Sequence, residues 1–309
     1  MRAALISEVG AAPDVVERDE PVGDVVVDVT AAPVNPVDLS IAAGTFYAGP
    51  PLVVPYVPGV EGVGRTAEGA RVWFETAAGF LGDGSMAERA AVDPSRMVEL
   101  SEDVDDALAG CLGVAGIAAW VPLAHRASVQ EGETVLILGA TGVVGQIGVQ
   151  AAKLLGAGRV IAAGRDPERL EATRALGADE VVRLPATADD LCEAAGGQID
   201  VVLDPLWGEH AATATEAMAI GGRLVVLGQS GGQQATLDAG VVRGRALQVL
   251  GHANGVTPPD VKHAALRTMC EHAAAGRLTV EHERIPLDRV AEAWDRQAAS
   301  PHVKLILVP

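Results

Sequence analysis

The sequence predicts an α/β protein in which a β-rich part comes first and a doubly wound parallel sheet follows. Residues 1 to about 112 are rich in Val, Pro and Gly and contain short extended runs separated by turn residues. From about 130 to 250, continuous Val, Leu and Ile runs alternate with helical segments, which is typical of a parallel sheet covered on both faces. A chain of 309 residues favours two domains over one small core.

The individual elements follow the same two patterns. Extended runs in the β-rich part are "DVVVDVTAAPV" (24–34) and "ARVWF" (70–74). The second part runs through the strand "TVLILGA", the helix "GQIGVQAAKLLGA", the strand "RVIAAG", the helix "DPERLEATRALGA" and the strands "EVVRL", "IDVVLDPL" and "GRLVVLGQ". Beyond residue 255 we expect a helix at 259–275, a short strand "RIPL", a helix at 288–299 and a last strand "VKLILVP".

Composition excludes several classes of partner. Lys and Arg number 23 against 41 Asp and Glu, and the resulting net charge of -18 repels nucleic acids and anionic membranes. The longest nearly unbroken apolar stretch, 109–124, has 16 residues, fewer than the ~20 that cross a bilayer. The first twenty residues contain no apolar run of signal-peptide length. We therefore expect a cytoplasmic protein with neither nucleic acid nor membrane as a partner.

Cysteine and histidine spacing gives no metal-binding pattern. Cys111, Cys192 and Cys270 are far apart in the sequence and form no CxxC pair. The seven histidines include no HExxH motif and no pair at i, i+4. We expect neither a disulfide framework nor a bound metal.

A glycine-containing turn marks the start of the second part. Ala140, Gly142 and Gly145 form A-x-G-x-x-G between a predicted strand and a predicted helix. Gly142 would let the backbone approach a pyrophosphate, and Gly145 would let the helix pack closely on the strand. The N–H groups and dipole at the helix start favour an anion. Because the whole β-α-β unit follows within ~30 residues, we predict dinucleotide binding rather than a simple tight turn.

The end of the second strand indicates which dinucleotide is bound. An NAD site carries a carboxylate here for the ribose hydroxyls, whereas an NADP site needs a cation instead. Gly164 stands where the acid would be, Arg165 follows and Arg169 comes one helical turn later; Asp166 is the one carboxylate nearby. These arginines could form a solvated helix start, but cations are unfavourable there without an anion. We therefore expect NADPH rather than NADH.

Seven segments carry a family resemblance, in the family's order and over nearly the whole chain. They are "VNPVDLSIAAG" (34–44), "VPYVPGVEGVG" (54–64), "GSMAERAAVDPSRMVEL" (84–100), "LGVAGIAAW" (112–120), "VQEGETVLILGATGVVGQIGVQAAKLLGA" (129–157), "DVVLDPLWGE" (200–209) and "GGRLVVLG" (221–228). The chain resembles the medium-chain dehydrogenase/reductase superfamily, and within it the zinc-independent quinone oxidoreductase branch.

This resemblance implies a domain arrangement. It places a GroES-like catalytic domain at 1–114, a Rossmann NADP-binding domain at 115–252, and a C-terminal segment at 253–309 that completes the catalytic domain. It also implies an active site in the cleft between the domains, and a homodimer.

Departures from the zinc-using members of the superfamily concern the metal ligands. Those relatives carry a Cys near the position of Asn35 and a His at the position of Val60, and they have a four-cysteine lobe that is missing here. Zinc alcohol chemistry is therefore not expected. Glu61 remains open between a functional carboxylate and a buried one that pairs with an arginine or caps a turn.

A reaction without metal restricts the acceptor. Hydride transfer leaves negative charge on the acceptor, and a quinone or an α,β-unsaturated carbonyl delocalises that charge internally. By resemblance, Asn35 would contact the nicotinamide ribose or the substrate carbonyl, unless it only forms an Asx-type turn before Pro36. Relatives have an aromatic hydroxyl at the position of Phe46, so Tyr47 beside it is the candidate donor, with water as the alternative.

The same resemblance implies further cofactor contacts. Backbone N–H groups facing the pyrophosphate would come from Thr141, Val143 and Val144. Gly228 and Gln229 would lie at the carboxyl edge of the sheet near the nicotinamide. Arg183 would add a second phosphate contact.

The sequence thus predicts a zinc-independent NADPH-dependent oxidoreductase that transfers hydride to a quinone or an activated alkene. One alternative keeps the cofactor and changes the acceptor: a zinc-free carbonyl reductase, or an enoyl reductase in a biosynthetic pathway. Another is a non-catalytic NADPH-binding sensor. The expected partners are a small-molecule substrate and a second copy of the chain.

Overall fold

The computed structural model describes residues 1–309, which form fifteen strands and ten α-helices. The strands are β1 (Arg2–Leu5), β2 (Asp14–Glu17), β3 (Val25–Pro33), β4 (Glu61–Thr66), β5 (Arg71–Glu75), β6 (Arg89–Val92), β7 (Met97–Glu99), β8 (Thr134–Leu138), β9 (Arg159–Gly164), β10 (Glu180–Arg183), β11 (Ile199–Asp204), β12 (Met218–Val226), β13 (Gln248–Gly251), β14 (His282–Pro286) and β15 (Lys304–Val308). The helices are α1 (Pro36–Ala42), α2 (Asp106–Cys111), α3 (Ile117–Val121), α4 (Val143–Leu154), α5 (Pro167–Ala172), α6 (Ala188–Ala195), α7 (Gly208–Ala217), α8 (Ala239–Gly244), α9 (Pro259–Ala274) and α10 (Val290–Ala298).

The chain divides into two compact units. The first unit comprises Met1–Val114 and Leu266–Pro309, and the second comprises Ala115–Ala265. The sequence placed the later boundary at 252, where the last parallel strand ends, whereas the second unit continues into the first turns of α9. A strand pattern marks where a sheet stops, but packing decides to which unit the following helix belongs.

The second unit is built on a six-stranded parallel sheet. Its strand order is β10-β9-β8-β11-β12-β13, and every neighbouring pair is parallel. This is the order 3-2-1-4-5-6 of the Rossmann fold, which reverses direction between β8 and β11. Leu136 of β8, Ile161 of β9 and Val202 of β11 are fully buried, because helices cover both faces of the sheet. The predicted doubly wound sheet is confirmed.

The first unit is a mainly antiparallel β structure. Its larger sheet has the order β14-β15-β3-β4-β5-β7, β6 also pairs with β3, and β1 and β2 form a separate antiparallel pair. The last strand, β15, pairs with β3 in antiparallel register and with β14 in parallel register. The C-terminal segment therefore completes the β-rich unit, and the predicted α/β fold with a GroES-like domain and a Rossmann domain is confirmed.

One helical stretch is long and apolar enough to meet the criteria for a membrane span. Asp106–Arg126 could cross a membrane by length and composition, yet 78% of its most apolar window is buried within the protein. Counting only unbroken apolar residues made this stretch look too short in the sequence. A buried core helix meets the same criterion, so the absence of a membrane partner and the cytoplasmic location stay predictions.

Candidate functional site

The glycine-containing turn lies at the carboxyl end of β8 and leads into α4. Gly139 adopts a left-handed conformation with φ of 62°. The backbone N–H of Ala140 donates to the carbonyl of Ala163 in β9 (2.9 Å), and that of Gly142 donates to the carbonyl of Gly139 (3.0 Å). A backbone hydrogen bond thus fixes the turn to β9.

Two glycines of this turn have different surroundings. A Cβ on Gly145 would lie 2.3 Å from the carbonyl oxygen of Gly139 and 2.5 Å from the Cα of Ala140. A Cβ on Gly142 would meet nothing closer than 3.5 Å. Gly145 is therefore required by the packing of α4 on the turn, whereas Gly142 borders open space of the kind that a pyrophosphate needs.

The start of α4 is not capped by a side chain. Gly142 is its N-cap, and the backbone N–H groups of Val143 and Val144 belong to the first turn, which has no acceptors within the helix. Four other helices have capping side chains, namely Asp105, Asp166, Thr187 and Asp238. The side chain of Gln146 donates to the carbonyl of Thr141 (2.9 Å). These N–H groups and the helix dipole fit an anionic pyrophosphate.

The end of β9 carries cations without protein partners. Gly164 is buried, and a Cβ there would lie 3.0 Å from Cγ2 of Thr141. Arg183 of β10 is in register with Gly164, and Arg165 follows Gly164 directly. Arg165, Arg169 and Arg183 are exposed, and their guanidinium groups form no hydrogen bond or ion pair within the protein. This strand end is thus a local positive site on an acidic chain.

Asp166, the carboxylate beside these arginines, is already engaged. It is the N-cap of α5, and its Oδ1 accepts the backbone N–H groups of Glu168 (3.0 Å) and Arg169 (3.1 Å). A capping carboxylate stabilises the helix start through those bonds and the helix dipole. Asp166 therefore has a structural role at the start of α5, carried by its Oδ1.

Gly228 and Gln229 follow β12 rather than ending it, since the strand stops at Val226. A Cβ on Gly228 would lie 2.5 Å from the carbonyl oxygen of Pro205, and Gln229 is exposed. The backbone N–H of Leu227 donates to the carbonyl of Asp204 (2.9 Å). The loops after β11 and β12 consequently lie against each other at the carboxyl edge, where ligands of such sheets bind.

The first unit contains a second set of candidate residues, which we call the buried polar cluster. Its members are Asn35, Asp38, Glu61, Trp73 and Lys304, each at most 2% exposed. Glu61 is at its centre: Oε1 accepts from Nδ2 of Asn35 (2.9 Å), and Oε2 accepts from Nε1 of Trp73 (2.9 Å) and from a backbone N–H of the turn that follows α2 (2.7 Å). Glu61 is thus a buried, fully bonded carboxylate.

Lys304 supplies the cation of this cluster. Its Nζ donates to Oδ1 of Asn35 (2.5 Å) and lies 3.9 Å from Oε1 of Glu61. Glu61 therefore pairs with a lysine and not with an arginine. Sequence analysis missed Lys304, although a single lysine in the otherwise apolar strand "KLILV" signals a buried partner.

Asn35 is held at both ends of its carboxamide by Glu61 and Lys304. Its backbone N–H donates to Oδ2 of Asp38 (2.8 Å), and it precedes α1 as the N-cap. The Asn35 side chain is therefore part of the buried polar cluster. Its contact with a cofactor or substrate stays a prediction.

Burial sets the electrostatics of the cluster. Burial raises the pKa of Asp38 to about 7, although two backbone N–H groups favour its ionised form. Burial also raises the pKa of Glu61, against the attraction of Lys304. A single ammonium group thus compensates two buried carboxyl groups, so the protonated form of Asp38 is favoured below about pH 7.

Tyr47 lies outside this cluster. Its side chain is 70% exposed, and its ring centroid is 4.3 Å from that of Phe46. Phe46 in turn lies 6.0 Å from Phe80. The Tyr47 hydroxyl is therefore accessible, and its role as a proton donor stays a prediction.

No three His, Cys, Asp or Glu side chains come together in an arrangement that could hold a metal ion. Independence from zinc remains a prediction that metal analysis has to test.

A Rossmann sheet with a glycine turn, together with a GroES-like unit, defines a two-domain dehydrogenase architecture. A family model for zinc-binding dehydrogenases matches residues 143–270. The mouse quinone oxidoreductase-like protein 2 is 30% identical over 261 residues, which cover 81% of this chain and 74% of the relative. The quinone oxidoreductase of Thermus thermophilus, solved also in its complex with NADPH, is 26% identical and matches both chains over 100% with a TM-score of 0.86.

A longer relative matches over nearly the whole chain. A phenolphthiocerol/phthiocerol polyketide synthase polypeptide of Mycobacterium tuberculosis is 30% identical over 306 residues. The match covers 95% of this chain, which spans only 14% of the length of that polypeptide. The chain belongs to the medium-chain dehydrogenase/reductase superfamily of oxidoreductases, among the proteins that resemble quinone oxidoreductases.

Alanine should affect a different property at each of the two glycines of the turn, stability at Gly145 and dinucleotide binding at Gly142. Gly145→Ala forces a Cβ against the Gly139 carbonyl, so the free energy of unfolding should fall by about 1–3 kcal/mol. Gly142→Ala has room and an extended backbone, so it should unfold like the wild type but bind dinucleotide more weakly. Thermal unfolding and dinucleotide titration measure both effects. An unchanged melting temperature for Gly145→Ala would contradict the close packing.

The buried polar cluster predicts a non-additive pair of substitutions. Lys304→Met leaves Glu61 buried without a cation and should cost about 3–5 kcal/mol of unfolding free energy. Adding Glu61→Gln should recover part of that loss, because it removes the uncompensated charge. The control is Arg289→Met, which breaks the exposed pair with Glu292 and should cost at most about 1 kcal/mol. Urea unfolding compares these proteins with the wild type and the Glu61→Gln single variant, and additive losses would contradict the pairing.

Proposed function

We propose that this protein is a zinc-independent NADPH-dependent reductase that transfers hydride to a quinone or an α,β-unsaturated carbonyl. The observation that carries the proposal is the end of β9. Gly164 is followed by Arg165 and lies beside Arg183, and these exposed guanidinium groups have no partner in the protein. A 2′-phosphate is the anion that such a strand end would bind in a dinucleotide site.

Charge distribution in the rest of the chain supports this choice. The net charge is -18, and carboxylates bind arginines elsewhere, as in Arg2–Glu88 and Arg296–Glu283. Unpaired arginines at one strand end are therefore not explained by a shortage of carboxylates. The Thermus thermophilus relative has been solved with NADPH, which agrees with the proposal for this chain.

The residues of the second unit fit a dinucleotide in three places. The uncapped start of α4 would bind the pyrophosphate, and Arg165 and Arg183 would bind the 2′-phosphate. The nicotinamide half would then extend toward the loops after β11 and β12. When bound, NADPH supplies the hydride.

The acceptor needs only modest assistance from the protein. A quinone or a conjugated carbonyl spreads the incoming negative charge onto its own oxygen, and a proton from the solvent or from a hydroxyl completes the reduction. Asn35 and Tyr47 are the acceptor-side residues of this proposal. Lys304 and Glu61 fix the orientation of the Asn35 carboxamide, and the exposed hydroxyl of Tyr47 can donate a proton.

A second candidate function is an enoyl reductase. It is favoured by the match of 95% of this chain to a small part of a polyketide synthase polypeptide. The cofactor and the hydride step would be unchanged, and the acceptor would be an α,β-unsaturated acyl thioester.

The test of the proposed function is NADPH oxidation by purified protein with quinones, enones, enoyl thioesters, aldehydes and simple ketones. We expect turnover of quinones or enones, none of simple ketones, and no effect of a strong chelator. Preferred turnover of enoyl thioesters would select the second candidate. Tight NADPH binding with no turnover of any acceptor would indicate a sensor, and stoichiometric zinc whose removal abolishes activity would overturn the zinc-free mechanism.

Cofactor preference gives a prediction for one residue. Arg165→Ala removes a charge-assisted contact worth about 1.5–3 kcal/mol, so the Kd for NADPH should rise roughly ten- to a hundredfold while the Kd for NADH stays unchanged. Arg174→Ala is the matched control, since this arginine pairs with Glu171 and Glu180. Both cofactors are titrated at fixed salt, because salt screens exposed phosphate contacts. An equal loss for both cofactors would show that Arg165 does not recognise the 2′-phosphate.

A further inference from the structure

Trp207 has a backbone conformation that residues other than glycine rarely adopt. It lies after β11, in the segment "DPLWG" that leads into α7, with φ of 59° and ψ of -159°. This region of the φ/ψ map is populated almost only by glycine, because a Cβ clashes with the backbone there. A tryptophan persists in it only where its surroundings hold it.

A buried carboxyl group and a neighbouring loop hold this segment. Oδ1 of Asp204 accepts the backbone N–H groups of Leu206 (2.9 Å) and Trp207 (2.8 Å). The backbone N–H of Gly231 donates to the carbonyl of Leu206 (2.7 Å), and a Cβ on Gly208 would lie 3.1 Å from the carbonyl oxygen of Gly231. Asp204 is fully buried, and its Oδ2 has no hydrogen-bond partner. These hydrogen bonds hold the turn although it contains two unfavourable features, a strained residue and an incompletely bonded carboxyl group.

Trp207 is more exposed than the other tryptophans of the chain. The chain has four, and Trp73, Trp120 and Trp294 are buried, with at most 7% exposed. The indole of Trp207 packs on the core of the second unit with one part and remains accessible with the rest. Glycine would adopt this backbone without strain but would provide no ring. The strained position therefore presents an aromatic surface at the carboxyl edge of the sheet.

The position along that edge indicates the ligand group. The strand order reverses between β8 and β11. In sheets of this order a dinucleotide binds across the carboxyl edge at the point of reversal. With the pyrophosphate at α4 and the 2′-phosphate at the end of β9, the nicotinamide half extends toward β11. We propose that the indole of Trp207 packs against the nicotinamide ring and positions it, an inference that rests on the proposed function. The electron-rich indole suits an electron-poor planar ring, most of all the cationic oxidised form.

The test uses NADP+ and adenosine 2′,5′-bisphosphate, which keeps the 2′-phosphate but lacks the nicotinamide. Contact with the oxidised ring should quench indole fluorescence, so NADP+ should quench the wild type, and Trp207→Phe should lose that share of the quenching. Trp207→Leu should weaken NADP+ binding roughly three- to tenfold and leave the bisphosphate unaffected. The matched control is Ile220→Ala, an exposed apolar residue near the amino end of β12, which should leave both ligands unaffected.

Other results of these titrations would contradict either the ring contact or the proposed function. Unchanged NADP+ affinity and quenching in the Trp207 variants would overturn the ring contact and leave the proposed function intact. An equal loss for both ligands would mean that Trp207 only supports the fold of the second unit. If the wild type binds neither ligand, the proposed function fails first. Trp207→Phe and Trp207→Leu both retain an apolar side chain on the core of the second unit, and thermal unfolding checks that both variants are folded.

Discussion

The close approach of α4 to the turn after β8 is the constraint on which the second unit depends. With no Cβ at Gly145, the helix start comes within contact distance of Gly139 and Ala140. This approach brings the first-turn N–H groups to the point where the strand order reverses, so that an anion bound there also adjoins the ends of β9 and β11. Gly228 allows a similar approach to Pro205. Close backbone packing thus determines where ligand groups can bind.

The two units use charge in different ways. In the second unit, Arg165 and Arg183 remain in water, where an unpaired cation costs little free energy and stays available to a ligand. In the first unit, Lys304 is buried with Glu61 and Asp38, where an unpaired charge would be very unfavourable, so hydrogen bonds fix each group. The exposed arginines are suited to recognition, and the buried cluster is suited to holding one fixed arrangement.

Local patterns made much of this predictable from the sequence. Neighbouring residues alone predict the strands, the glycine turn and the Gly164–Arg165 pair. The segment "DPE" is an N-cap signature, so the capping role of Asp166 was also predictable. The lone lysine in the strand "KLILV" indicates a buried partner, but its contact with Asn35 joins residues 269 positions apart, and no local pattern identifies that partner. The backbone of Trp207 was equally hidden, because a tryptophan in a sequence gives no reason to expect φ near 59°.

Gly145 and Trp207 lie at the same edge of the sheet and differ in how the residue type suits its position. At position 145 the surroundings exclude any side chain, and glycine relieves the conflict. At position 207 the backbone favours glycine, yet an indole is present and Asp204 is buried with one oxygen unpaired. The strained backbone of Trp207 and the unpaired oxygen of Asp204 both lower the stability of the fold. The proposed contact of the accessible indole with the nicotinamide ring would give this costly arrangement a function at the carboxyl edge of the sheet.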